Sequence, residues 1–185
     1  MQIADSAFVS KFLVGENCPV IWFVGLSGSG KSTVAKSYVE YLTSKGLACV
    51  HLDGDDLRKG LNSNLGFTET ERLENLRRAA EVAVLFKNAG VVPVCSFISP
   101  THEVRKTIAS ICGNSYREIY LKCSLECCEQ RDVKGHYKKA RNAEIANFTG
   151  ISSPFEVPLN SFATLDTENN SLEICRQQLI QLFEF

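Results

Sequence analysis

The chain has 185 residues, of which 44% are apolar and 22% charged, and its formal net charge is −1. Those values suit one globular domain over 1–185 with a core of its own. They leave no general attraction for nucleic acid or an acidic membrane, so any anion site must come from a local gathering of basic side chains. Residues 1–18 read as an N-terminal extension: MQIADSAFVSKFLVGEN carries an early acid and lacks the basic-then-apolar order of a secretion signal. No apolar run approaches the roughly 20 residues that span a bilayer. The eight cysteines show no C-x-x-C spacing, and the three histidines are scattered at 51, 102 and 136. Metal ligands need tighter clustering, which argues against a zinc site or disulfide framework and for reduced thiols in a cytoplasmic protein.

Short apolar runs alternate with helical patterns along the chain. Strands are predicted at Val20–Val24, Ala48–Leu52, Val91–Phe97 and Glu118–Leu121, with a weaker fifth at Phe162–Leu165. Helices are predicted at Lys31–Lys45, Thr68–Ala89, Glu103–Ile111 and Leu172–Phe183. Near-continuous apolar strands separated by helices imply a doubly wound α/β fold, with a mainly parallel five-stranded sheet covered on both faces. The polar, basic stretch Asp132–Pro158 has no clear strand, and a segment of that length within a compact domain is commonly a lid.

After the first strand comes Gly25-Leu26-Ser27-Gly28-Ser29-Gly30-Lys31-Ser32-Thr33, a Walker A pattern. Its glycines let successive backbone N–H groups turn inward as an anion nest, and the helix beginning near Lys31 turns its positive dipole end toward the same point. Lys31 is expected at the β- and γ-phosphates and the Ser32 hydroxyl at Mg²⁺.

After the second strand, Asp53-Gly54-Asp55 sits at the rim where open α/β sheets bind ligands. The two acids serve either as base and metal-side carboxylate or as caps of the next helix. Arg72, Asn75 and Arg78 recur every third residue along one helix side, with Arg58 upstream. No acid stands four places after Arg72 or Arg78, so either a solvated basic stripe or a bidentate anion grip fits. From Arg131 to Arg141, five basic residues and one acid surround Gly135, which suits a lid closing over phosphates or an exposed charged loop. Phe67 and Phe148 lie in polar stretches, where an aromatic either stacks a flat base or plugs its loop onto the core.

Together these stretches resemble the adenylylsulfate kinase (APS kinase) family of P-loop kinases, from about Val20 to Pro158. The resemblance rests on GLSGSGKST at Gly25–Thr33, LDGDDLRKGLNSNLGF at Leu52–Phe67, ERLENLRR at Glu71–Arg78, FISP at Phe97–Pro100, KGHYKKAR at Lys134–Arg141 and FTGISSPFEVP at Phe148–Pro158. It implies transfer of the ATP γ-phosphate to the ribose 3′-hydroxyl of adenylyl sulfate, giving 3′-phosphoadenylyl sulfate and ADP in sulfate assimilation. It implies Mg-ATP and a homodimer. It implies that Phe67 and Phe148 sandwich the substrate adenine, and that Arg58, Arg72 and Asn75 hold its phosphosulfate and ribose, with Asp53, Ile98, Ser99 and Thr149 beside them. Asp55 would orient or deprotonate the 3′-hydroxyl and help Ser32 hold magnesium. Lys134 would bridge to the transferring phosphate, and Arg131 would lie over the ATP adenine. Family descriptions also make the serine at position 99 a phosphoenzyme intermediate. Its motif has no adjacent histidine to activate it, which favours direct in-line transfer.

The sequence departs from the family where a glycine and a lysine are common and it carries Ala143 and Ala146, and at His102 and His136. Two rival readings are a kinase of a sugar acid or shikimate, which gives no reason for two stacking phenylalanines, and a non-catalytic nucleotide-binding module. The second is opposed by the lack of an NKxD or ABC-type signature.

Overall fold

The computed structural model describes residues 18–183, so the extension read over 1–18 lies, but for its last residue, outside the described residues. Five strands form one sheet: β1 (Val20–Val24), β2 (Cys49–Asp53), β3 (Val92–Ser96), β4 (Tyr116–Lys122) and β5 (Ala163–Asp166). Every neighbouring pair is parallel and the spatial order is β2-β3-β1-β4-β5. Chain order reverses around β1, so ligands are expected beyond its carboxyl end.

β1 is apolar throughout because both its faces are covered. Ile21 and Phe23 pack with Val34, Tyr38 and Leu42 of α1 (Lys31–Ser44) and Leu179 of α7 (Leu172–Leu182). Val20, Trp22 and Val24 pack with Leu76, Ala79 and Ala83 of α3 (Glu69–Asn88) and Ile108 of α4 (His102–Cys112). The alanines of α3 let that helix lie close to the sheet. Thr68 and Glu71 close a full capping box on α3, which fixes where the helix starts.

Three short helices had little or no sign in the sequence pattern: α2 (Gly54–Lys59), foreshadowed only by the capping alternative for Asp53 and Asp55, α5 (Leu125–Arg131) and α6 (His136–Arg141). Each has six or seven residues, too few for an apolar period to repeat. α5 and α6 enclose a third, smaller core of Leu26, Cys123, Cys128, Tyr137, Ala140 and Phe148. This core ties the basic segment to the glycine loop. Among the described residues, no helix is long and apolar enough to cross a membrane.

Candidate active site

The glycine loop runs from the carboxyl end of β1 into α1. Gly28 has φ 76, and a Cβ there would stand 2.8 Å from the Cys128 carbonyl oxygen, so only glycine lets the loop pass beneath α5. A side chain caps the first turn of α2, α3, α4, α5 and α7, whereas Gly30 leaves α1 with no side-chain cap. The first-turn amides of α1 therefore remain as donors for an external anion.

Lys31 is buried, its Nζ donating to the carbonyls of Gly25 at 2.9 Å and Leu26 at 2.6 Å. Burial pushes its ammonium down to about 8 against the partial support of Asp53. Ser29 is fully buried, and Thr167 Oγ1 donates to its carbonyl at 2.8 Å. Arg131 extends this wall by donating to the Thr167 carbonyl at 2.7 Å. Thr33 is exposed on the outer side of α1.

Asp53 ends β2 and is buried. It accepts from Ser32 Oγ at 2.6 Å, Ser96 Oγ at 2.9 Å and the Asp55 amide at 2.9 Å. Burial alone would raise its carboxyl, but those bonds outweigh it and hold the group below its ordinary value. Asp53 is thus both the cap of α2 and the carboxylate beside Ser32. This differs from the expected metal pair, because Asp55 points outward and pairs with Lys134 of the basic segment.

The arginines separate into two kinds. Arg78, expected to escape helical pairing, donates to Glu74 one turn earlier at 2.8 Å and to Asn64 at 2.9 Å, so it is a structural cation. The sequence argument looked only C-terminally for its acid. Arg58 and Arg72 instead flank Phe67, their guanidinium carbons 4.3 and 5.9 Å from the ring centroid. Arg58 donates to the carbonyls of Leu65 and Gly66, both at 3.0 Å. Arg72 donates to the Phe67 carbonyl at 2.9 Å, to Thr149 Oγ1 at 2.8 Å and to the Asn147 carbonyl. Burial, and then the charge of Arg58, hold the Arg72 guanidinium below its usual value. Two cations kept side by side, bonded to carbonyl and hydroxyl oxygens, form a site for an anion.

Phe67 is 59% exposed, as a stacking platform requires, whereas Phe148 is 9% exposed and packs edge-on against Tyr137 at 5.0 Å between centroids. Asn75 is buried and its Oδ1 accepts from the Asn62 side-chain amide at 3.0 Å, tying the 60–67 loop to α3. Ile98 is half-buried, and its carbonyl lies 3.4 Å from the Gly25 amide. Ser99 is placed as a structural contact, not as a free hydroxyl facing the rim. It is wholly buried at φ 46, its Oγ accepts the Trp22 indole N–H at 2.9 Å, and its carbonyl accepts from Arg105 at 2.8 Å.

Sequence reasoning missed Tyr137, Thr167 and Trp22 as supports of the site. Tyr137 is 1% exposed and its hydroxyl donates to the Ser27 carbonyl at 2.9 Å, holding the basic segment on the glycine loop. An aromatic inside a polar, basic run was a signal for it. The single tryptophan, whose N–H must find a partner when buried, was another. Nothing local marked Thr167. A cavity of about 700 Å³ opens beside Leu26, between the end of β4 and the 150–157 loop, next to Glu168.

The glycine loop, the paired cations and the lysine-bearing segment thus meet around one rim. The family model for adenylylsulphate kinase matches residues 17–166. The chain belongs to the adenylylsulphate kinase family. An adenylyl-sulfate kinase of Bacteroides thetaiotaomicron is 50% identical over 171 residues, covering 92% of this chain and 85% of that one. The Mycobacterium tuberculosis APS kinase CysC, solved with AMPPNP and APS, superposes with a TM-score of 0.87 at 42% identity, covering 90% of this chain and 98% of that one. A hexameric APS kinase from Thiobacillus denitrificans gives a TM-score of 0.68 at 25% identity, covering 90% of this chain and 29% of that one.

Proposed function

We propose that this adenylylsulfate kinase moves the γ-phosphoryl group of ATP directly onto the ribose 3′-hydroxyl of adenylyl sulfate, with residues 131–158 acting as its lid. The observation that carries the acceptor side is the Arg58–Phe67–Arg72 stack, tied through Thr149 to the loop that bears Phe148. A nucleotide with a second anion complements a ring flanked by guanidinium groups. The triphosphate lies on the amides of Gly25–Ser32, with Lys31 at its outer phosphates and Arg131 beside the adenine. Asp55 takes or orients the hydroxyl proton, and Lys134 offsets charge on the transferring group. The 3′-oxygen–phosphorus bond forms as the bond from that phosphorus to the ADP oxygen breaks, and the hydroxyl proton passes to Asp55.

Mg²⁺ fits Ser32 and Asp53, since a hydroxyl and an ionised carboxylate 2.6 Å apart are hard oxygen donors of the kind it takes alongside water and phosphate. Bound there, it would supply neutralising charge for the phosphate oxygens. The buried Ser99 serves by fixing the turn after β3. The chain works as a homodimer in a cytoplasmic setting, a reading supported by the resemblance; a hexamer is described for one relative. The test is ADP release with ATP and magnesium, with and without adenylyl sulfate, and in parallel with gluconate and shikimate. Release dependent on adenylyl sulfate alone is expected. Brisk release with another acceptor and none with adenylyl sulfate overturns the proposal.

A further inference from the structure

The scattered cysteines do not stay scattered in the fold. Cys123 follows β4, Cys127 lies in the first turn of α5, and Glu168 follows β5; one ligand atom from each lies within 4.8 Å of the others. Cys123 and Glu168 line the cavity beside Leu26, so the cluster is reached from solvent, while Cys128 of the same turn is wholly buried. Glu168 is held in place because its carboxylate accepts from the Ser124 amide at 2.7 Å and the Ser124 hydroxyl at 3.0 Å. Each carboxylate oxygen keeps a further lone pair beyond those bonds. Arg131 Nη1 lies 3.5 Å from Cys123 Sγ.

From this geometry we propose that Cys123, Cys127 and Glu168 form a binding site for a thiophilic divalent cation, of the Zn²⁺ or Cd²⁺ class, with water in the remaining position. Two thiolate sulfurs and one carboxylate oxygen are the mixed soft set such ions take, and three protein ligands leave one coordination place open. Charge also balances. Two thiolates and a carboxylate carry −3, a divalent ion brings this to −1, and the adjacent Arg131 guanidinium closes it to zero. Both thiols lose their protons to water as the ion binds. Burial and the neighbouring thiols raise the Cys123 thiol, and the ion displaces that proton as structural zinc does. The sequence hid the site because two of its ligands stand four residues apart between the end of β4 and the start of α5, and the third comes 41 positions later, after the neighbouring strand β5.

The test uses the full reduced chain without nucleotide, which would itself chelate the metal. Cadmium is titrated while thiolate–metal charge-transfer absorption is followed, with zinc competition giving the zinc affinity. One ion per chain is expected. Cys123→Ser and Cys127→Ser should each weaken binding by about tenfold or more, and Glu168→Gln by a smaller factor, with thermal melting showing that each variant folds. Cys49→Ser, on the half-buried cysteine of β2, should bind as the parent does. No stoichiometric uptake by the parent, or unchanged uptake by folded Cys123→Ser and Cys127→Ser, overturns the site. So does loss of uptake in Cys49→Ser.

Discussion

Replacing Ser99 by alanine separates two accounts of phosphoryl transfer, because they predict opposite effects on stability and rate. The Ser99 hydroxyl has no exposure and accepts the indole N–H of Trp22, a residue equally buried under α3 and α4. Removing Oγ strands that N–H in an apolar layer, which costs about 1–3 kcal/mol. For a domain of this size each kcal/mol lowers the melting temperature by about 2–4 °C. In a Trp22→Phe background no N–H remains to be stranded, so the same serine change should cost little. That coupling is the signature of a structural bond. The turnover number at saturating ATP and adenylyl sulfate should fall less than about tenfold, whereas loss of a covalent nucleophile costs several orders of magnitude. Paired melts of the four proteins and steady-state kinetics give the answer. A stable Ser99→Ala variant that binds both nucleotides and does not turn over would refute the reasoning.

Phe67→Ala should leave stability within about 0.5 kcal/mol, since the ring is largely exposed, and weaken adenylyl sulfate by about 1–3 kcal/mol. Calorimetry should show ATP affinity unchanged; an equal loss for both nucleotides would remove Phe67 from the acceptor side. Ala143 is exposed at φ 58, a left-handed conformation that strains an L-residue by about 1–2 kcal/mol. Against glycine's entropic penalty of about 0.5–1 kcal/mol, Ala143→Gly should raise the melting temperature slightly or leave it level, and a clear drop would contradict the strain. Lys31, held near 8 by burial, imposes its full penalty below that value, so its contribution should make stability rise with pH from about 8 toward 10.5. ATP phosphates restore the charged form, so binding near pH 9 should take up close to one proton more than near pH 7, read by calorimetry in buffers of different ionisation enthalpy. Equal proton numbers at both would sink it.

The sheet was legible because parallel strands covered on both faces must be apolar, and all five predicted strands shift by no more than two residues at either end. β4 runs two residues earlier than its apolar centre because Tyr116 and Arg117 continue the ladder against Val20 and Ile21. Walker A, the Asp-Gly-Asp turn and the basic segment were legible as motifs. What they could not reveal was partner choice. Asp53 rather than Asp55 stands beside Ser32 because Asp53 still belongs to the strand end, while Asp55 has already entered α2 and looks outward. Arg78 looked like Arg72 by spacing, yet Glu74 lies one turn before it. Phe148 and Ser99 are drawn inward by a third core and a buried indole that no local pattern announces.

Those differences share a physical origin that also suits the rim to polyanions. Several surface cations among the described residues have a carboxylate in contact: Lys59 with Asp56, Arg77 with Glu74, Arg141 with Glu129, Arg176 with Glu173. Around the glycine loop the cations are held differently. Lys31 is buried against carbonyls, Arg58 and Arg72 crowd one ring, and α1 begins without a side-chain cap. Each arrangement is unfavourable for the protein alone, and each would be relieved by phosphate or sulfate oxygens rather than by a closer fit of its own side chains. Lys134 is the exception among the rim cations, because Asp55 already satisfies it. It would have to leave that carboxylate when the transferring phosphate arrives, and its departure frees Asp55 to receive the acceptor hydroxyl. In the proposed mechanism the ion pair would occupy both groups until both nucleotides are in place, and ATP hydrolysis without an acceptor is then expected to be slow.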